Sequence, residues 1–323
     1  MAVVVTGGAG FVGSHLVDRF VRAGAHVVIL DNLISGNLAN VAHAISSGRA
    51  TFVYADAAAG AAQLGSLLGD AARGRISAIY HLASPASPEA YGAHPWETLA
   101  VNAVGTMSMI EIALEHQATF VFASTSEIYG DPLVHPQPES YFGNVNPIGP
   151  RACYDEGKRF GEAAVSVAAA RRGLDARIVR IFNCYGPRME LGDGRLIPAL
   201  AAAAFRRAPM PILGSGTQTR SLTYVDDLID GMLLVAGWRP LSLTPVNLGS
   251  TDERSVLEIA RVVATVAGVP YCVEHHPARP EDPRRRCPDI ALARSLGWEP
   301  TTPLAVGLGT TYEWFARDAL AHA

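Results

Sequence analysis

The segment Thr6-Gly7-Gly8-Ala9-Gly10-Phe11-Val12-Gly13 constrains this chain more than any other. It follows the apolar run Ala2–Thr6 and opens an amphipathic stretch, so it reads as a strand, a tight turn and a helix. Three glycines at G-x-x-G-x-x-G spacing let the backbone turn sharply and let an anion approach the main chain. The positive end of the following helix then attracts that anion. Asp31 closes the next strand candidate, 18 residues beyond Gly13. A carboxylate there can bond both ribose hydroxyls of a dinucleotide and repels a 2′-phosphate, which favours NAD over NADP. Asp56 ends the third strand candidate, where it can meet an adenine ring or simply terminate a strand.

The rest of the chain keeps the rhythm that this loop begins. Ala2–Thr6, 26–30, Ala50–Tyr54, 78–82, 119–123 and Ala176–Ile181 are apolar runs with little polar alternation, the pattern of parallel strands buried on both faces. Helix candidates lie at 11–23, 60–72, 96–116 and 152–172. Such alternation predicts an α/β fold with a Rossmann-type doubly wound parallel sheet. After Cys184 the rhythm loosens, with helices predicted at 195–207 and 255–268. We therefore expect a dinucleotide-binding domain over 1–183 and a smaller α+β substrate lobe over 184–323, some of whose strands return to the first domain.

Charge and composition narrow the partners. The net charge is −4 and no basic run exceeds Arg284-Arg285-Arg286, so a nucleic-acid footprint is absent. No apolar stretch approaches the ~18 residues of a membrane helix. Strand-like residues start at Ala2, which leaves no room for a leader and points to the cytoplasm. The four cysteines form no C-x-x-C pair, which argues against a disulfide framework or a metal site. Of 26 basic residues only Lys158 is a lysine; this bias toward arginine, with abundant alanine, suggests a GC-rich bacterial genome.

That lone lysine stands four residues after Tyr154, on one face of the helix predicted at 152–172. With ten tyrosines in 323 positions, chance gives this spacing in about 3% of placements. A tyrosine acting as general base needs its pKa lowered from about 10 toward neutrality, and a nearby ammonium can supply the field. Lysine suits this better than arginine, being a compact charge that also reaches ribose hydroxyls. Thr125-Ser126-Glu127 follows the strand at 119–123, at the sheet edge where α/β proteins place reacting groups. Thr125 can bond the hydroxyl that Tyr154 deprotonates, and Ser126 and Glu127 add the groups needed to move a proton at a neighbouring carbon. A solvated polar turn is the plainer reading of the same three residues.

The chain resembles the extended short-chain dehydrogenase/reductases and, among them, the UDP-glucuronate decarboxylases (UDP-xylose synthases). The likeness runs through His81-Leu82-Ala83-Ser84-Pro85-Ala86-Ser87-Pro88, Ser124 to Asp131, and Asn146-Pro147-Ile148-Gly149-Pro150-Arg151-Ala152-Cys153-Tyr154-Asp155-Glu156-Gly157-Lys158-Arg159. It continues through Arg180-Ile181-Phe182-Asn183, Gly186-Pro187-Arg188-Met189, Asp193-Gly194-Arg195, Gly214 to Arg220 and Arg286-Cys287-Pro288-Asp289-Ile290. Related 4,6-dehydratases carry T-D-E where this chain has Thr125-Ser126-Glu127, and epimerases lack the Glu; the serine resembles the decarboxylases. Cys287 stands where the family more often has Lys, and Ala90 and Gly92 flank Tyr91 in a loop that is bulkier in relatives.

The resemblance implies NAD-dependent conversion of UDP-glucuronic acid to UDP-xylose through C4 oxidation, loss of CO2 and re-reduction. Release of UDP-4-keto-pentose before re-reduction is the alternative, with a 4-epimerase or 4,6-dehydratase relative or a silent sugar-nucleotide-binding protein further behind. It implies Thr125, Ser126, Glu127, Tyr154, Lys158 and Arg286 as catalytic residues. Cofactor contacts fall on Gly7, Gly10, Phe11, Val12, Gly13, Asp31, Asn32, Ser35, Gly36, Asp56, Ala57, Leu82, Ser84 and Arg195, with Tyr154 and Lys158. Substrate contacts fall on Pro85, Tyr91, Asn183, Arg188 and Arg220. It further implies a homodimer through a four-helix bundle, formed from the helices at 96–116 and 152–172. Their apolar faces (Met107, Ile110, Leu114; Phe160, Ala164, Val167) can equally belong to the core.

Overall fold

A computed structural model describes residues 1–239, 241–278 and 283–321. The six apolar runs form β1 (Ala2–Thr6), β2 (His26–Asp31), β3 (Ala50–Tyr54), β4 (Ile76–His81), β5 (Thr119–Thr125) and β6 (Ala176–Ile181). A strand from much later, Val246–Leu248, pairs with β6 and completes a parallel sheet of seven. The order is β3-β2-β1-β4-β5-β6, then Val246–Leu248. The chain winds outward from β1 to β3, then returns to β4 and winds the other way. The C-terminal ends of neighbours β1 and β4 therefore flank a crevice. Strand β5 runs two residues past its expected end because Ser124 and Thr125 still pair with Arg180 and Ile181.

Both faces of the sheet are dry, as the unalternating strands require. On one, Val4, Ile79, Phe120, Phe122 and Ile178 pack against helices Ala61–Ala72, Thr106–His116 and Ala152–Arg172 through Leu68, Met109 and Val165. On the other, Val5, Ile29, Val121 and Val179 meet α1 (Phe11–Arg22) and helix Val225–Gly237 through Leu16, Val17, Leu228 and Met232. A third cluster joins helices Leu196–Phe205, Val256–Ala267 and Leu304–Ala321 around Leu200, Ile259 and Phe315. The late part of the sequence thus supplies one strand and one covering helix to the main sheet and builds its own small core beside it.

The helix expected at 96–116 is divided. Pro95–Ala100 leads into a widened π turn, Val101–Gly105, before Thr106–His116. The widened turn seats Asn102 against Gly157 of helix Ala152–Arg172. The two apolar faces anticipated on these helices also divide: Ile110, Leu114 and Ala164 belong to the core, whereas Met107, Phe160 and Val167 face outward.

Helix Ala152–Arg172 lies close on β5 because Gly161 sits over the Phe122 ring, and a Cβ at 161 would overlap the ring atoms. Gly161→Ala gains helix propensity of about 1 kcal/mol but overpacks a rigid aromatic. We expect a net loss of about 1–2 kcal/mol in urea unfolding, together with lower activity, because the displaced helix carries Tyr154 and Lys158.

Candidate active site

The glycine loop is built by exclusion of side chains. Gly7 has φ +69°, and a Cβ there would come within 2.8 Å of the Ala83 backbone in the turn after β4. At Gly13 a Cβ would overlap the Gly7 carbonyl, so α1 presses directly on the loop. Gly10 precedes α1 with extended backbone, and no side chain caps the helix. The first-turn N–H groups therefore stay available to an anion.

A cavity of about 1040 Å³ runs from this loop across the crevice to the end of β5. It is lined by Gly7, Gly10, Phe11, Val12, Gly13, Asp31, Asn32, Ser35, Gly36, Asp56, Ala57, Leu82, Ser84 and Pro85 on one side. Thr125, Ser126, Glu127, Tyr154, Lys158, Asn183, Arg188 and Arg195 line the other. The structure thus brings together all but three of the residues expected from sequence. Tyr91 and Arg286 lie just behind the lining, and Arg220 is outside it, donating to the Thr219 and Pro283 carbonyls at 2.8 and 2.9 Å.

At the loop end, Asp31 accepts hydrogen bonds from the backbone N–H of Ala9 (2.9 Å) and Leu33 (2.8 Å). Burial raises its pKa and those two bonds oppose the rise. Gly36 is required beside it, since a Cβ would press on the Asp31 carboxylate. Asn32 donates to Asp56 at 3.4 Å. Arg188, in a left-handed conformation, gives Nη2 to Asp18 at 2.6 Å, and its buried Nη1 has no partner. Arg195 is held by Asp193 over the Phe11 ring. The buried Asn183 Oδ1 is likewise unpartnered. Side-chain-free backbone, an uncapped helix start, an acid at the end of β2 and unused polar atoms along the wall together fit a dinucleotide.

At the other end, Tyr154 and Lys158 are both buried, one helical turn apart. Lys158 Nζ donates to the Ala123 carbonyl at 2.8 Å and stands 5.1 Å from the Phe122 ring; burial pushes its ammonium down to about 7. The Tyr154 hydroxyl is hydrogen-bonded to Thr125, yet burial and the nearby acids Glu127 and Asp155 push the phenol up. The protein alone therefore does not lower this tyrosine, contrary to the direction expected of a ready base. Tyr91 stacks on Tyr154, rings 5.4 Å apart and nearly parallel.

Thr125 Oγ1 accepts from the Glu127 N–H at 3.2 Å and so starts the 3-10 turn Ser126–Tyr129. The turn aims Glu127 into two guanidinium groups. Arg286 engages both carboxylate oxygens, with Nη2 to Oε2 at 2.7 Å, and Arg151 grips Oε2 as well. Burial opposes ionisation here, but the two cations overcome it and hold the Glu127 carboxyl down at about 2. Arg151 and Asp155 are cluster members that sequence reasoning missed. Their i,i+4 spacing around Tyr154 was the available signal. No group of His, Cys, Asp and Glu suited to a metal occurs among the described residues.

Comparison with known proteins agrees with this geometry. A family model described as the NAD dependent epimerase/dehydratase family matches residues 3–249. UDP-glucuronic acid decarboxylase 1 of Danio rerio is 41% identical over 317 residues, covering 98% of this chain and 73% of that protein. The Arabidopsis thaliana protein of the same name is 44% identical over 309 residues, covering 95% and 68%. Among solved structures, the UDP-glucuronic acid 4-epimerase of Bacillus cereus in complex with UDP-glucuronic acid and NAD matches with TM-score 0.85 and 27% identity, over 98% of this chain and 99% of that one. The dTDP-glucose 4,6-dehydratase DesIV of Streptomyces venezuelae with NAD and TYD bound matches with TM-score 0.85 and 29% identity, over 99% and 98%. Among the described residues no helix is long and apolar enough to cross a membrane. The chain belongs to the NAD-dependent epimerase/dehydratase family, with NAD as its cofactor.

Proposed function

We propose that the protein converts UDP-glucuronic acid and a proton to UDP-xylose and CO2, with no net redox change. The observation that carries this reading is the Thr125-Ser126-Glu127 turn, which sets a doubly bridged carboxylate and its arginines beside Tyr154. Such a site can grip an acidic sugar while its C4 hydroxyl is deprotonated.

In this reading Tyr154 takes the C4 hydroxyl proton, with Thr125 fixing that hydroxyl. When bound beside Tyr154, NAD+ would supply the acceptor and later the donor of the C4 hydride, together with a positive charge that favours loss of the phenol proton. A C4 ketone stands β to the carboxylate, so the C5–C6 bond can break with its electron pair delocalised onto the C4 oxygen. Arg286, fixed by Glu127, orients the carboxylate for that cleavage. Ser126 and Glu127 then order the protonation of C5. Lys158 holds the ribose of the cofactor and adds its charge beside Tyr154.

The glycine loop and Asp31 would hold the adenosine half and the pyrophosphate, with Arg195 and the spare Nη1 of Arg188 in support. Asn183 faces the sugar nucleotide, and Tyr91 keeps Tyr154 in place by stacking. Residues 1–183 act as the cofactor-binding domain and 184–323 as the UDP-sugar lobe, in a cytoplasmic enzyme. Trp96, Met107, Phe160 and Val167 are exposed on the helices around 95–116 and 152–172. We assign them to a four-helix contact with a second copy of the chain.

Incubation with UDP-glucuronic acid and NAD+ should release CO2 and give UDP-xylose by NMR; UDP-4-keto-pentose as the main product would show that re-reduction is bypassed, and no CO2 would overturn the reading. Tyr154→Phe should lower kcat by about 10²–10⁴ without unfolding the protein. A small amine-directed acylating reagent should modify one side chain, Lys158, as mass spectrometry reads it. Because burial lowers this ammonium to about 7, labelling should rise as pH crosses 7 rather than 10.5, and NAD should suppress it.

A further inference from the structure

Behind the Ser126–Tyr129 turn, outside the cavity lining, Asp155 is 5% exposed and poorly supported. Its Oδ1 has no hydrogen-bond partner, and its Oδ2 stands 3.8 Å from Arg151 Nε, an ion pair too long for a hydrogen bond. Arg151 spends its other end on Glu127, which Arg286 also holds. Several elements turn a charge or a titratable group toward it. These are Glu127 from the 3-10 turn, Arg286 from the late loop, Tyr91 from helix Pro88–Ala93, and Arg151, Cys153, Tyr154 and Glu156 from the start of the helix that carries Asp155.

Charge counting shows what this arrangement cannot accommodate. Two arginines against two ionised carboxylates is balanced. Arg151 and Arg286 stand behind the lining and meet the cavity at Glu127; under the decarboxylase reading, on which this inference rests, the substrate brings a third carboxylate to that cluster. With all three ionised, a buried site would hold one uncompensated negative charge, which low-dielectric surroundings penalise. The least supported of the three gives way. Glu127 has two arginines and a bidentate bond; Asp155 has one long contact.

We propose that Asp155 is a positioning residue that carries the proton allowing Arg151 and Arg286 to serve Glu127 and the uronate carboxylate together. Recognition of an acidic sugar, as against its neutral counterpart, is thereby linked to protonation of Asp155. Burial first, and the Glu127 charge second, push the Asp155 carboxyl up to about 7. A raised acid keeps its proton below that pH and loses it above, and the substrate carboxylate raises it further. Affinity for the uronate therefore falls as pH rises past about 7, by at most tenfold per pH unit for one linked proton.

The test uses the NADH-loaded protein, which has no hydride acceptor and binds without turnover. Calorimetric Kd values for UDP-glucuronic acid and UDP-xylose are compared at about pH 6.5 and about pH 8.5. In the native protein the uronate should weaken about tenfold across this interval while UDP-xylose stays within about twofold. In Asp155→Asn, and in Asp155→Ser should the amide disturb folding, the uronate dependence should shrink to about twofold. Equal pH dependence of both ligands in the native protein, an unchanged uronate dependence in a folded variant, or no uronate binding would each overturn the proposal. CO2 release by the NAD-loaded native protein near pH 6.5 separates the two readings. Release with a flat binding profile removes only the role of Asp155. A linked binding profile without release removes only the decarboxylase reading.

Discussion

The contact between helix Ala152–Arg172 and β5 is the constraint on which the site depends. Gly157 admits Asn102 of the neighbouring π turn, and Gly161 admits the Phe122 ring, so the helix lies closer than side chains would allow. A buried ion pair fixes its rotation. Glu162 accepts two bonds from Arg180 of β6, at 2.9 and 2.7 Å, and one from Ser124 of β5. Removing one member of such a pair leaves an unpaired buried charge, a cost of about 3–5 kcal/mol, so the register is held firmly. Tyr154 and Lys158 then fall at the C-terminal end of β5 as a consequence of packing. The helix also brings Arg151 and Asp155 to the Glu127 turn, so one interface sets both the proton-transfer pair and the charged cluster behind it.

Three acids, two in the cavity wall and Asp155 behind it, show how support decides the state of a carboxyl group. Asp31 has two backbone N–H donors that oppose the effect of burial. Glu127 is part-buried and bridged by two guanidinium groups, and its charge is stabilised. Asp155 is enclosed without a hydrogen bond and shifts the other way. Residue type fixes none of this. The difference lies in donors aimed at the oxygens, and pairs of carboxyls driven apart in this way are characteristic of sites that handle protons.

The sheet was legible in the sequence because strands covered on both faces must be continuously apolar. The glycine loop was legible because its chemistry is local. The same holds for Tyr154 and Lys158, which one helical turn relates. What was not legible depends on distance along the chain. Val246–Leu248 offers only three strand residues, and its place beside β6 is set by helix Val225–Gly237 packing on α1. Arg151 and Asp155 stood inside a recognised motif, but their roles come from Arg286, more than a hundred residues away. Arg220 read as an anion contact, and its backbone partners at Thr219 and Pro283 exist only in the fold.

Burial acts on Tyr154 and Lys158 in opposite directions on the pKa scale but to the same effect. It raises the phenol and lowers the ammonium, and so favours the neutral form of each. The phenol is bonded to Thr125 and the amine donates to the Ala123 carbonyl, so both are held in place within the enclosed site. The same enclosure magnifies the field of a positive charge placed beside the phenol. A more exposed tyrosine would sit nearer its ordinary value and respond less. The close helix–strand contact thus does two things: it fixes the position of the pair and makes the phenol sensitive to the charge of the cofactor.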